Sequence, residues 1–199
     1  ARKGAVTHAQ SAPIREELGV RIAPLFGGDG SAEKAIKAMT RGLLEANDPR
    51  YTKIEILNPT QEAFEDFGVE NDDGITEIPN TNLRHSSRQV NSNSGVNIQD
   101  ANILKVRVTY AYKLGVPLMN KVIPAIMTRL DPANAGYYAL GRIPVTSVAT
   151  VRMQSAAWEG ENVSVESGSG GGAVPGGSGE TGNEDTGEGE ETEEDVVDS

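Results

Sequence analysis

The residues able to do covalent or metal chemistry are few. Two histidines, His8 and His85, and no cysteine exclude a thiolate nucleophile, a thiolate zinc or iron–sulfur site and a disulfide framework, and leave little for a histidine metal centre. No serine stands in a G-x-S-x-G elbow, and neither histidine lies in a motif that would make it a general base. His8 is expected on a helix surface and His85 in a polar surface segment, both in solvent. The carboxylate pairs Glu16-Glu17 and Asp72-Asp73 are neighbours in sequence and so point apart, unlike an acid and a base converging on one bond. Gly27-Gly28-Asp29-Gly30-Ser31 precedes a helix, but it lacks G-x-x-x-x-G-K-[ST] spacing, and Glu33 stands where a dinucleotide fingerprint needs its third glycine. It reads as a helix-to-helix turn. Asn71-Asp72-Asp73-Gly74 has part of a calcium-loop pattern, yet Val69 occupies the first ligand position and Asn80 that of the bidentate glutamate; a solvated turn is the first reading and weak calcium binding the second. The chain is therefore expected to be non-catalytic, with no catalytic, cofactor-binding or metal-ligating residue and no cofactor. A site assembled from distant residues is the one route by which an enzyme would escape this reading.

Charge divides the 199 residues into a body and a tail. There are 18 basic and 29 acidic side chains, a net charge of −11, but Arg152 is the last basic residue and 13 of the acids lie from Glu159 onward. The first 158 residues thus carry 16 acids and 18 bases, a balance too small for a nucleic-acid footprint, and no nucleic-acid partner is expected. No run approaches 18 consecutive apolar residues, so no transmembrane helix is expected within the chain. Residues 159–199 are rich in Gly, Ser and Glu and offer no apolar area to offset an ordering cost of about 1–2 kcal/mol per residue. They are expected to form a disordered acidic tail, either a solubilising tether or a contact for a cation or a basic partner.

The body reads as α+β. Ser11 is placed to cap a helix with Pro13 in its first turn and Ile14, Leu18, Ile22 and Leu25 at helical spacing. Ser31 starts a second helix to about Ala46, with Ala32, Ala35, Ile36, Met39 and Leu43 as an apolar stripe and Glu33 and Lys37 as an i,i+4 pair. Ile54 and Ile56 alternate with Lys53 and Glu55 in a short strand. In residues 103–112, Leu104, Val106, Val108, Tyr110 and Tyr112 share one face; in residues 143–155, Ile143, Val145, Ala149, Val151 and Met153 point inward, and Arg142, Thr146, Thr150, Arg152 and Gln154 outward. One-sided alternation implies an antiparallel sheet with one wet face, its dry face covered by the N-terminal helices. Residues 71–102 are a polar excursion with one short strand near residues 76–78. Leu114, Leu118, Val122, Ile126 and Leu130 recur every four residues in a helix begun at Pro117 and bent at Pro124. This stripe packs in the core on the first reading and contacts a partner or membrane surface on the second.

The first ten residues, ARKGAVTHAQ, put Ala1, Ala5, Ala9 and Ala12 at helical spacing without a capping residue, and Arg2 and Lys3 at the positive end of a helix dipole. Either the helix begins upstream of position 1, or this is a frayed alanine-rich terminus. On the first reading Ala1, Gly4, Ala5, Ala9 and Ala12 form a small-residue face that admits another helix closely.

The order ARKGAV, then ILKVRVTYAYKLGVPLMNKVIPAIM, then RIPVTSVATVRMQSAAW resembles the TadE-like minor pilins, or pseudopilins, of the bacterial tight-adherence (Tad, Flp) pilus system, over residues 1–158. The resemblance implies a pilin-like α+β fold, N-terminal helices on one face of an antiparallel sheet. Residues 1–26 would be the membrane-distal part of the N-terminal helical region, residues 27–158 the globular domain and residues 159–199 the tail. It implies an anchor helix and a processing site upstream of Ala1, and residence in the bacterial inner membrane with a periplasmic domain that can enter an extracellular pilus. The implied partners are other pilins and pilus-assembly proteins, and the implied role is non-catalytic assembly of a pilus for surface adherence. The assembly helix face would be Ala1, Gly4, Ala5, Ala9 and Ala12, and the partner-contact segment Leu114, Leu118, Val122, Ile126 and Leu130. The alternative is an envelope or secreted binding module with a flexible acidic tail.

Overall fold

Apolar periodicity sorts the described residues, 1–27, 30–116 and 118–160, into helices and antiparallel strands in the computed structural model. In chain order these are α1 (Arg2–Val6), α2 (Ser11–Ile22), α3 (Ala32–Asn47), β1 (Thr52–Asn58), α4 (Gln61–Phe67), β2 (Val69–Glu70), β3 (Thr76–Ile78), α5 (Ile98–Ala101), β4 (Ile103–Lys113), α6 (Met119–Leu130), α7 (Ala135–Ala139), β5 (Arg142–Arg152) and β6 (Ala157–Trp158), with 3-10 turns at Ala23–Phe26 and Pro132–Asn134. The chain divides into two units, Ala1–Ser167 and Gly168–Ser199. Of the expected disordered tail, residues 159–199, the first two are described and the Glu159 N–H donates to Thr76 O at 2.8 Å, so the ordered body runs slightly further than expected; residues 161–199 lie outside the described residues.

The larger sheet has the order β1-β4-β5, antiparallel throughout, with Ile54 opposite Val108 and Val106 opposite Ala149. Ile54, Ile56, Leu104 and Val106 turn to one face and are buried with Ala5, Ala9 and Ile14 from the N-terminal segment, Phe64 from α4, and Ile78 and Met153. Each fully buried Leu, Ile or Val contributes about 1.5–3 kcal/mol. The fold is thus α+β, with N-terminal helices on one face of an antiparallel sheet. A smaller sheet, β2-β3-β6, closes the end of this core through Ile78 and Ala157, both fully buried. The strand expected near residues 76–78 is β3, and its turn from β2 is the Asn71–Gly74 segment.

Several expectations fail for identifiable reasons. Residues 1–12 are not one helix. α1 ends at Val6, and His8 and Ala9 take positive φ (57° and 60°) before α2 begins with Gln10, not Ser11, at its N-cap. Leu25 is exposed because the chain leaves α geometry for the 3-10 turn at Ala23–Phe26, which breaks its register with Ile22. Helix α3 starts at its Ser31 cap and keeps the Glu33–Lys37 pair, N···O 2.6 Å, yet the apolar stripe lies on the wrong side. Ala38, Gly42, Glu45 and Ala46 are buried, whereas Ile36 is 67% exposed and Met39 also faces water. The cause is the approach of α2. A Cβ on Gly42 would run into the Gly19 carbonyl oxygen, and one on Gly19 would lie 2.8 Å from Leu43 Cα, so only small side chains fit between the two axes. Of the expected inward set only Met153, the residue after β5, is buried; Val145 and Ala149 are exposed because β5 is an edge strand that α2 and α3, packed on β1, do not cover. Arg142, expected outward, is buried.

Candidate functional site

The expected assembly face is mostly turned to the chain's own core. Gly4, Ala5 and Ala9 are buried, Ala1 is half-buried and Ala12 is exposed. A Cβ on Gly4 would lie 2.7 Å from Ile14 Cδ1 and 2.9 Å from Leu104 Cδ2, so the small residues admit the sheet. They do not form one exposed helical face, because the break at His8 and Ala9 interrupts the helix between Ala5 and Ala12. The segment is instead tied to the end of β5. The N–H groups of Gln154 and Ser155 donate to Ala5 O at 2.8 and 3.2 Å, the His8 N–H donates to Ser155 Oγ at 3.0 Å, and the Trp158 N–H donates to His8 O at 3.1 Å. His8 is accordingly not a solvent side chain: its ring stacks on Trp158 at 3.8 Å between centroids, with Nδ1 2.9 Å from Ala156 O. Trp158 Nε1–H in turn donates to Glu77 Oε2 at 3.0 Å.

The second set of expected residues forms an exposed stripe, so the core-packing reading of residues 114–130 fails. Leu118, Val122, Ile126 and Leu130 are between 40% and 73% exposed, and Leu114 is half-buried. Helix α6 turns its other side inward: Pro124 is buried, and Asn120, Ile123 and Met127 are half-buried, where the helix meets α7 and β5. Pro124 lies within the helix, Met119 is the first helical residue, and Pro117 lies outside the described residues. Asp131 pins the far end by accepting from Asn134 Nδ2 and from Tyr138 Oη, both at 2.8 Å. These bonds, Asn134 first, hold its carboxyl below the usual range. Both faces of α6 are apolar enough to be read as core, and the fold uses one of them.

The strongest electrostatic feature joins residues far apart in sequence. Glu45 on α3 meets Arg142 at the start of β5, Oε2 to Nη1 at 2.8 Å and Oε1 to Nη2 at 3.0 Å, and both side chains are buried. Tyr110 Oη donates to Glu45 Oε2 at 2.7 Å, Arg142 Nη1 donates to Ala111 O at 2.8 Å, and the guanidinium lies 3.8 Å from the Tyr51 ring centroid. Burial alone would raise the Glu45 carboxyl, but hydrogen bonds from Arg142 and Tyr110 and the charges of Arg142 and Arg41 outweigh it and hold it below the usual range. Burial, reinforced by the Glu45 contact, pushes the Tyr110 phenol well up. Periodicity placed Arg142 on a wet face, and no local signal links it to Glu45.

Beside this cluster, a groove of about 350 Å³ runs between the 3-10 turn after α2, α3 and the end of β4, lined by Phe26, Arg41, Tyr110, Tyr112, Lys113 and Leu114 among others. The Arg41 guanidinium sits 4.9 Å from the Phe26 ring centroid. In the Asn71–Gly74 turn, Asn71 Oδ1 accepts from the N–H groups of Asp73 and Ile75, both at 3.0 Å, the arrangement of an Asx turn. His85 is exposed, as expected. Among the described residues, no three His, Cys, Asp or Glu side chains are placed to hold a metal ion, and no helix is long and apolar enough to cross a membrane.

No family model, curated protein or solved structure matches the chain.

Proposed function

We propose that the chain is a non-catalytic accessory subunit of a Tad/Flp-type pilus, a TadE-like minor pilin with a pilin-like fold. It would be held at the bacterial inner membrane by a helix upstream of Ala1, with its α+β domain in the periplasm. The observation that carries this reading is the α6 stripe. The segment bearing much of the sequence resemblance presents Leu118, Val122, Ile126 and Leu130 to water, a surface of the kind that marks contact with another protein. In an assembly these side chains pack against neighbouring subunits, while residues 1–6 lead from the anchor onto the sheet. Deleting the gene abolishes or shortens pili and reduces adherence. Complementation with the wild-type gene restores both, and complementation with I126E/L130E restores neither although the protein accumulates. Normal piliation in the deletion strain refutes the proposal.

The second reading is an envelope or secreted binding module, favoured by the groove whose lining includes Arg41, Lys113, Tyr110 and Tyr112. Fractionation of the native gene product separates the two. Recovery in the membrane and in sheared pili supports the first, and a freely secreted protein absent from pili supports the second.

A further inference from the structure

The open edge of β5 is free of backbone partners among the described residues over its central stretch. The Ala111 N–H donates to Tyr51 O, so odd-numbered residues of β4 face β1 and even-numbered ones face β5. The bond from the Met153 N–H to Asn102 O then places the odd-numbered residues of β5 on the β4 side. Pro144, Thr146, Val148, Thr150 and Arg152 therefore turn their backbone groups away from the sheet. Pro144, which has no N–H, stands where none is needed by the β4 ladder. The open stretch is bounded at one end by Arg142, buried in its ion pair with Glu45, and at the other by Gln154, whose N–H is taken by Ala5 O. Pro144 and Arg152 guard the two ends of this stretch, and the seven residues between them carry none of the usual protection of an edge. Residues 145–151 read VTSVATV, with no charge and no proline, and Val145 and Val148 are 55% and 48% exposed.

We propose that β5 pairs antiparallel with β5 of a second copy of this chain across a twofold axis at Val148, giving a continuous sheet β1-β4-β5-β5-β4-β1. The occupant is a second copy because the edge is self-complementary in that one register. The axis falls at the middle of the open stretch, so Val148 meets Val148 of the other copy, Thr146 meets Thr150, Ser147 meets Ala149 and Val145 meets Val151. Valines and threonines are then paired with their own kind, which favours cross-strand contact. Arg152 falls opposite Pro144, and its N–H meets the Pro144 carbonyl, so no two arginines face each other. The ladder is about 30 Å long and lacks a second layer, below the roughly 800 Å² per partner of a standard interface. The dimer therefore belongs to the transient class, with a dissociation constant of about 10 µM to 1 mM. The proposal rests on the β5 edge and not on the exposed stripe of α6, and it stands whether or not the chain serves a pilus.

Sedimentation equilibrium of the full chain across that concentration range tests it. The weight-average mass rises from 21.0 kDa toward twice that value. Val148→Pro removes an N–H that the β4 ladder does not use, so it keeps the wild-type near-UV circular dichroism and stays monomeric. The register is tested in the folded wild-type background, where the absence of cysteine makes a single thiol unambiguous. V148C forms a disulfide-linked dimer under mild oxidation at least tenfold faster than T150C, which the register sets four residues away from its own copy. A wild-type chain that remains monomeric at about 1 mM overturns the proposal. So does a folded V148P variant that dimerises as well as wild type, or a T150C variant that cross-links as fast as V148C.

Discussion

Arg142→Met isolates the energetics of the buried ion pair. The guanidinium makes two bonds to Glu45, one to Ala111 O and a ring contact with Tyr51, and removing it leaves the Glu45 carboxylate buried with the Tyr110 hydroxyl as its hydrogen-bond donor and the more exposed Arg41 Nε 3.8 Å away. Breaking one side of such a pair costs about 3–5 kcal/mol, a large share of a total of about 5–15 kcal/mol for an ordinary domain. Glu45→Met strands the guanidinium in the same way. The double variant E45M/R142M removes both charges and the desolvation penalty with them, so it is expected within about 1 kcal/mol of wild type or more stable. Urea unfolding at neutral pH of the four proteins gives a coupling energy of about 3 kcal/mol or more. The pair also sets a pH signature. Because the folded Glu45 carboxyl titrates below its unfolded value, its contribution is fully present above about pH 4.3 and is lost as pH falls through the lower folded value. That part of the acid limb is missing from E45M/R142M. Single variants that cost less than about 1 kcal/mol, or whose costs simply add in the double variant, refute the reasoning.

Three further outcomes follow from other contacts. Gly42→Ala forces α2 and α3 apart at the Gly19 carbonyl and costs about 1–3 kcal/mol in urea unfolding. I126K/L130K leaves the unfolding free energy within about 0.5 kcal/mol, since both side chains are in water, and lowers binding of a hydrophobic dye to the folded protein. His8→Ala removes the ring stacked on the single tryptophan, Trp158; it shifts the emission of the native state to longer wavelength and costs about 1 kcal/mol. Unchanged emission refutes the stacking.

The strands were legible wherever one face is covered. Residues 52–58 and 103–113 alternate because Ile54, Ile56, Leu104 and Val106 must turn inward together. The same pattern misled on β5, where alternation persists but no helix covers Val145 or Ala149. Hydropathy also misled on α3, since it marks Ile36 and Met39 while the fold needed the small side chains Ala38, Gly42 and Ala46 for close helix packing. Their spacing of four was the available signal. The left-handed backbone at His8 and Ala9 had none, because neither is glycine or asparagine. The Glu45–Arg142 pair spans 97 positions, and nothing local to either residue announces the other.

The bonds that fasten Ala5 and His8 to residues 154–158 give the fold a mechanical weak point distinct from its thermodynamic one. Tension applied between α1 and β6 does not run along the β4–β5 ladder. It is borne first by four backbone donors joining segments about 150 positions apart, which give way one after another like a peeled seam. The N-terminal segment would then come away while the three-stranded sheet remained intact, making this junction a fuse for any pulling force delivered through the amino end.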